Sequence, residues 1–186
     1  MQATERRKDS AQTKRRILDA AIIEFSARGF AGARMDRISE AAECNKAMVY
    51  RYFTSKERLF DEVFDEIVVQ TIDAVPLDTD DLPGYAARLH EQHVRAPDIL
   101  RIGTWDSLER DGAGMRLPAV VEATREKIRK IAAAQTAGTV TSRYAADVIL
   151  EIVISLSQPP VGVTAGVSDE DRSRYIADAV RAALTT

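Results

Sequence analysis

The sequence predicts an all-α protein, and three observations carry that expectation. With only 9 Gly and 6 Pro in 186 residues, the chain has little of the turn chemistry that a sandwich or barrel needs. Apolar residues recur at three- and four-residue spacing along most of its length instead of alternating. Apolar residues make up 45% and charged residues 30%, a globular balance with enough hydrophobic side chains to bury a core. The length suits one domain, or a small one joined to a larger one, at about 100–200 residues per domain.

The elements follow in order. Thr13 to Arg28 places Ile17, Ala20, Ala21 and Phe25 on one helical face. Gly29 then supplies a left-handed C-terminal residue, and Phe30 a contact back onto the helix. A second helix spans about Met35 to Ala42 and a third about Asn45 to Phe53, opened by Asn45 as N-cap, with only Glu43 and Cys44 between them. Ser55 caps a fourth helix that carries Phe60, Val63, Phe64, Ile67 and Val68 and ends before Pro76; Asp78 to Pro83 reads as an acidic linker. Tyr85, Leu89 and Val94 mark a fifth helix, and Pro97 starts a sixth. Gly112 and Gly114 form the next boundary, and Pro118 opens a helix to about Ala134, with Gly138 beyond its end. Tyr144 to Leu156 is unusually apolar for a helix that touches solvent on one side. After Pro159-Pro160 and Gly162/Gly166, Ser168 and Asp171 begin a last helix with Ile176, Val180 and Leu184 at four-residue spacing.

Charge is segregated along the chain. Residues 1–60 hold 13 Lys+Arg and 8 Asp+Glu, giving +5, while residues 61–186 hold 13 and 21, giving −8, for the net −3. A basic first third fits a polyanion; the acidic remainder faces something else. The apolar run Val148 to Ile154 is broken by Glu151 and falls short of the roughly 18 residues of a membrane span. The N-terminus lacks an apolar stretch with a small-residue cleavage site, so a cytoplasmic protein without membrane partners is expected. The lone Cys44 forms no internal disulfide and reads as a small buried hydrophobe. No G-x-G-x-x-G, no G-x-x-x-x-G-K and no Cys/His cluster occurs, so neither catalytic residues nor a cofactor is expected. Asp80 and Asp81 read as solvated linker acids. His90 and His93 are three apart and could share a metal, but without a third ligand they read as solvated or capping histidines, and no metal site is expected.

The informative constellation is the tight pair of short helices in the basic third. Such a pair crosses steeply and projects its second member outward, which is helix-turn-helix geometry. Ile38 and Val49 are expected between the helices and small Ser39 at their closest approach, leaving Lys46, Ala47, Met48, Tyr50 and Arg51 to face a partner. By spacing alone, an ordinary hairpin with a solvated basic face fits equally well.

Arg16-Ile17-Leu18-Asp19-Ala20-Ala21, Phe25, Arg28-Gly29-Phe30, Met35-Asp36-Arg37-Ile38, Tyr50-Arg51-Tyr52-Phe53 and Ser55-Lys56-Glu57 together resemble the N-terminal signature of TetR/AcrR-type transcriptional regulators. The resemblance covers roughly residues 13–65; the remainder matches in helical layout and length. It implies an all-helical dimer in which a three-helix DNA-binding domain precedes a larger effector-binding and dimerising domain. The expected division is a flexible basic arm at 1–12, a helix-turn-helix domain at 13–54, and an effector and dimerisation domain at 55–186 whose residues 55–75 form a connecting helix. The implied activity is repression at a near-palindromic double-stranded operator, released by a small-molecule effector of unknown identity. An activator, or a module that binds protein and not DNA, is the alternative.

Carried over residue by residue, the resemblance implies that Lys46, Ala47 and Met48 meet bases: Lys46 donating to guanine acceptors, the other two touching thymine methyls. Tyr50 and Tyr52 resemble phosphate contacts, Lys56 adds charge at a helix N-terminus, and Arg34 and Arg51 are further contacts. Arg6, Arg7 and Lys8 could follow the minor groove, although an arm of this kind is more often simply disordered. Family layout places Tyr85, His90, His93, Trp105 and Met115 around the effector cavity, with Tyr85, His93, Trp105 and Met115 taken as its lining; a single Trp is slightly more often core than ligand platform. Ile149, Ile152, Val153, Leu156, Ile176, Val180 and Leu184 are either monomer core or half of an intermolecular four-helix bundle, and the resemblance favours the bundle and a homodimer. Three positions depart from the pattern. Glu43 replaces a turn Gly, so the backbone there is either left-handed at a cost of roughly 1 kcal/mol or altered. Ala33 replaces a capping Thr, typically worth about 1 kcal/mol. Cys44 replaces a branched apolar residue.

Overall fold

A computed structural model of the chain describes residues 2–159 and 166–184, with side chains described from residue 9. Among the described residues there are nine α-helices, one 3-10 turn and no strand. The chain divides into two compact units, Met1–Val68 with Asp98–Leu117, and Val69–Pro97 with Pro118–Thr186.

The first unit holds α1 (Gln2–Gly32), α2 (Met35–Ala41), α3 (Lys46–Phe53), most of α4 (Lys56–Ala74), α6 (Pro97–Arg110) and the turn Gly114–Arg116. Its core is Ile17, Ala21, Phe25, Ile38, Val49, Leu59, Phe60, Val63 and Ile102, all fully buried. Phe60 meets Phe25 edge-on at 4.9 Å and Phe30 at 5.5 Å, the arrangement aromatic quadrupoles prefer. The Arg110 guanidinium lies over Phe60 at 4.4 Å and donates to Asp61 at 2.7 Å and Asp106 at 3.1 Å. Buried Asp106 in turn accepts the Gly114 N–H at 2.9 Å. A Cβ at Gly114 would come within 2.6 Å of the Phe64 ring, so only glycine allows this approach.

In the second unit α5 (Leu82–Arg95) packs on α8 (Ala146–Ser157) and α9 (Asp169–Leu184), and α7 (Pro118–Ala137) packs on α8. One apolar cluster gathers Val75, Tyr85, Ala86, Leu89, Val153, Ile176 and Val180; another gathers Leu82, Ile131, Ala134, Val140, Ile149 and Leu150.

Helix starts and turns follow the sequence closely, with instructive differences. Asn45 accepts the Met48 N–H at 2.8 Å and Ser55 the Arg58 N–H at 3.2 Å, the expected caps. Ser168 accepts the Asp171 N–H at 3.0 Å. The acidic linker is shorter than expected, because Asp81 caps α5 through the Gly84 N–H and draws Pro83 into the first turn. Residues 2–12, expected as a flexible arm, are helical and continuous with α1. The first compact unit runs on to Val68 in α4 and takes in α6: Trp105 donates to the Ser26 carbonyl at 3.1 Å, and the Ser26 hydroxyl to Asp98. Gly29 does have positive φ, but at φ 70° and ψ 179° it is extended and not left-handed helical, a region essentially reserved for glycine. A Cβ there would meet the Trp105 ring at 3.0 Å. Gly166 has φ 132°, whereas Pro160 and Gly162 lie outside the described residues.

Candidate nucleic-acid interface

The α2–α3 pair is built from a turn in which every donor has a place. Glu43 adopts φ 50°; its N–H donates to the Glu40 carbonyl and that of Cys44 to the Ser39 carbonyl, each at 3.0 Å. This is a Schellman ending with Glu43 in the left-handed position usually held by glycine. Of the two possibilities at Glu43, the backbone takes the left-handed one, and the carboxylate lies 3.5 Å from Arg16. Ile38 and Val49 are fully buried and Ser39 nearly so, which locks the two helices together as their spacing predicts. Cys44 is half-buried, and burial pushes its thiol up, away from the reactive thiolate.

The start of α2 has no side-chain N-cap and is tied to α1 instead. Arg34 is the N-cap residue and makes no side-chain cap. Instead Glu24 of α1 accepts the Arg34 N–H at 3.0 Å and the Arg37 Nε–H at 2.8 Å, and Arg37 also donates to the Gly32 carbonyl at 2.8 Å. Burial pushes the Glu24 carboxyl up, but the Arg37 hydrogen bond and the Arg34 N–H outweigh it and hold the group below its ordinary value. No local sequence pattern marks Glu24 for this role, since its partners lie ten and thirteen residues away.

On the outer side of α3, Lys46, Ala47, Tyr50 and Arg51 are exposed and Met48 is half-buried; the Arg34 side chain, at the start of α2, is exposed too. Two of these carry local partners. Lys46 Nζ lies 2.8 Å from Asp36, whose hydrogen bond raises the lysine above its usual range, and the Arg51 guanidinium rests over Tyr52 at 5.8 Å. Tyr52 and Lys56 also hold contacts within the chain. The Tyr52 hydroxyl is hydrogen-bonded to Ser10 at 2.9 Å, tying α3 to α1. Lys56 donates to the Ala31 carbonyl at 3.2 Å and sits over Phe30 at 4.9 Å, and burial lowers it, so its ammonium joins the end of α1 to the start of α4. The side chains of Arg6, Arg7 and Lys8 lie outside the described residues.

The residues expected to line an effector cavity are divided between the two units. Trp105 belongs to the first unit, packed at Gly29, and Met115, also in that unit, is exposed. Tyr85 is fully buried in the second unit's core, where Lys127 donates to its hydroxyl at 3.3 Å. His90 and His93, expected as solvated or capping residues, are buried instead, with Nδ1 of each directed to the Ser157 carbonyl at 3.1 and 3.3 Å. Burial lowers the His93 pKa, so this ring is neutral.

The expected bundle stripe is also redistributed. Ile149, Val153, Ile176 and Val180 are buried within the chain, because α5 and α7 already cover those faces. Ile152 and Leu184 are half-buried, and Leu156 is 38% exposed. Val148, Ile152 and Leu156 therefore form the outward stripe of α8, and Tyr175, Ala179 and Ala182 that of α9. No helix among the described residues is long and apolar enough to cross a membrane, and none of their His, Cys, Asp and Glu side chains form a group of three that could hold a metal.

Two family signatures match the chain: "Bacterial regulatory proteins, tetR family" over residues 17–63 and "Tetracyclin repressor-like, C-terminal domain" over residues 81–186. The chain is 35% identical over 153 residues to the HTH-type transcriptional repressor SCO4008 of Streptomyces coelicolor, covering 81% of this chain and 79% of that one. It is 34% identical over 110 residues to the HTH-type transcriptional repressor NicS of Pseudomonas putida, covering 55% and 52%. Among solved structures, SCO4942 from Streptomyces coelicolor superposes with a TM-score of 0.77 at 30% identity, covering 92% of this chain and 98% of that one. The fatty acid degradation regulator FadR from Bacillus halodurans shares the fold, with a TM-score of 0.70 at 14% identity over 90% of this chain and 93% of that one.

Proposed function

Because the chain belongs to the TetR family of bacterial regulatory proteins, we propose that it is a cytoplasmic, dimeric repressor that binds a near-palindromic operator and releases it when a small molecule occupies the second unit. The observation that carries this reading is the α2–α3 pair. Two short helices are clamped by a Schellman turn and by Glu24, their apolar faces are spent on each other, and the outer face of α3 keeps its charged and aromatic side chains in solvent. Lys46 and Ala47, with Met48 behind them, stand at the helix N-terminus, the part that reaches base edges when a recognition helix enters the major groove. Tyr50, Arg51 and Arg34 flank them as groups for phosphate. Tyr52 and Lys56 serve from behind, holding α3 to α1 and α1 to α4. The Lys46–Asp36 pair breaks on binding, and a guanine acceptor replaces the carboxylate.

Dimerisation is assigned to the outward stripes of α8 and α9. Val148, Ile152 and Leu156 supply apolar area, and Ala179 and Ala182 allow close helix approach beside Tyr175.

Gel-shift binding of the purified protein to DNA flanking its own gene, with excess competitor, tests the reading. Specific binding that weakens about tenfold or more in Lys46→Ala and in Tyr50→Ala is expected. Unchanged affinity in both variants sinks the contact assignment, and binding no tighter to these sites than to competitor sinks the operator.

A further inference from the structure

Lys46, the cation assigned to base edges, is held by an acid. Asp36 stands in the first turn of α2 with its side chain 68% exposed, and its carboxylate lies 2.8 Å from Lys46 Nζ at the start of α3. Arg37, its neighbour in sequence, does not share this carboxylate, because it is spent on Glu24 and on the Gly32 carbonyl. An ion pair this exposed contributes little to folding, so stability does not account for the acid. On DNA it is a liability: it faces a polyanion and loses its ammonium when Lys46 turns to a base. Only a sequence that offers the carboxylate a donor removes that penalty.

The major groove of a G·C pair offers one. Guanine presents O6 and N7 as acceptors, and cytosine N4 presents the amino hydrogen that base pairing leaves unused. O6 and N4 of one pair are hydrogen-bonded to each other at about 2.9 Å. That is close to the 2.8 Å between Lys46 Nζ and the Asp36 carboxylate. Acceptor and donor on the DNA thus match ammonium and carboxylate on the protein. A T·A pair sets thymine O4 beside the adenine amino group in the same order, but it gives the ammonium one acceptor where guanine gives two, with a methyl group alongside. The reversed C·G pair turns O6 toward the carboxylate and the amino group toward the ammonium, and both contacts repel.

We infer that Asp36 is a specificity-determining residue that reads cytosine: as Lys46 leaves the carboxylate for guanine O6 and N7, the carboxylate accepts from N4 of the cytosine paired with that guanine. One residue from each helix of the α2–α3 pair then reads a single G·C pair in each half-site, in one orientation. This assignment rests on the operator-binding reading of the chain and adds the base pair that Lys46 and Asp36 recognise together.

Enrichment of bound sequences from a random duplex DNA pool by the full-length parent, Asp36→Ala and Lys46→Ala tests it. The affinity of each protein is then measured for the parent's enriched site and for that site with one G·C pair changed to T·A or C·G. The parent is expected to fix a G·C pair in each half-site that Lys46→Ala no longer selects. Asp36→Ala should lose about tenfold of the discrimination against T·A and C·G at that pair, keep the preferences at the other positions, and match the parent in helicity and melting temperature. Four results overturn the cytosine reading: unchanged preference in Asp36→Ala, loss of preference at all positions together, T·A at the Lys46-dependent position, or a pair relaxed by Asp36→Ala that Lys46→Ala leaves fixed. The same pool separates the two readings. A parent that enriches no site removes the operator and this assignment with it, whereas an enriched site that Asp36→Ala selects unchanged leaves the regulator standing and removes Asp36 from its specificity.

Discussion

Glu43 and Gly29 both hold positive φ, and their replacements should move stability in opposite directions. Glu43 pays for a left-handed backbone with a side chain that does little in return beyond a solvent-exposed pair with Arg16. Glu43→Gly is expected to raise the unfolding free energy by about 0.5–1 kcal/mol in urea titration; an unchanged or lower midpoint counts against strain in the turn. Gly29→Ala places a methyl 3.0 Å from the Trp105 ring at a φ/ψ closed to alanine. A loss of about 2–3 kcal/mol is expected, and a neutral result contradicts the packing of α6 on α1. Glu24 carries a pH signature. Its folded carboxyl titrates below the ordinary 4.5, so its contribution is complete above that value and disappears as pH falls through the lower, folded one. Stability of the parent should therefore fall more steeply than that of Glu24→Gln on acidification below 4.5, as urea midpoints would reveal; parallel curves refute the clamp.

At the scale of elements, α8 has two apolar faces with different fates. Ile149, Leu150 and Val153 are buried against the neighbouring helices, while Val148, Ile152 and Leu156 remain outside. Ile152→Glu with Leu156→Glu should give a helical monomer by light scattering, with the helicity of the parent, because charges on this stripe are tolerated in solvent but not between subunits. A double variant that remains dimeric places the interface elsewhere. Val153→Asp, by contrast, should lower the melting temperature of the chain itself, since it strands a carboxylate in the core beside Ile176 and Val180.

For the whole molecule, the separation of charge governs how DNA affinity responds to salt. The net charge of −3 conceals +5 over residues 1–60, where Arg34, Lys46 and Arg51 are exposed. Arg34 and Arg51, the two cations assigned to phosphate, make four in a dimer, and one phosphate neutralised by each gives a slope of about −3.5 in log K against log salt. A slope near zero would mean that these cations do not meet the backbone.

What the sequence determined by itself was local. Helical periodicity, the Asn45 and Ser55 caps, the turn at Glu43 and the burial of Ile38 against Val49 are legible because the forces involved act within a few residues. The exposed face of α3 was legible for the same reason: a short helix with an apolar side spent inward has its remaining side chains facing out. Tertiary structure decided what depends on partners distant in the chain. Glu24 tied the uncapped start of α2 to α1, α6 joined the first unit through Trp105 and Arg110, and Tyr52 and Lys56 gained contacts within that unit. The two histidines became a buried pair on Ser157, and half of the apolar stripe on α8 and α9 became core. Periodicity shows that a helix has an apolar face, but which neighbour covers it depends on how the helices pack. A polar side chain's role is likewise set by what the fold brings within hydrogen-bond distance, and no spacing in the sequence encodes that.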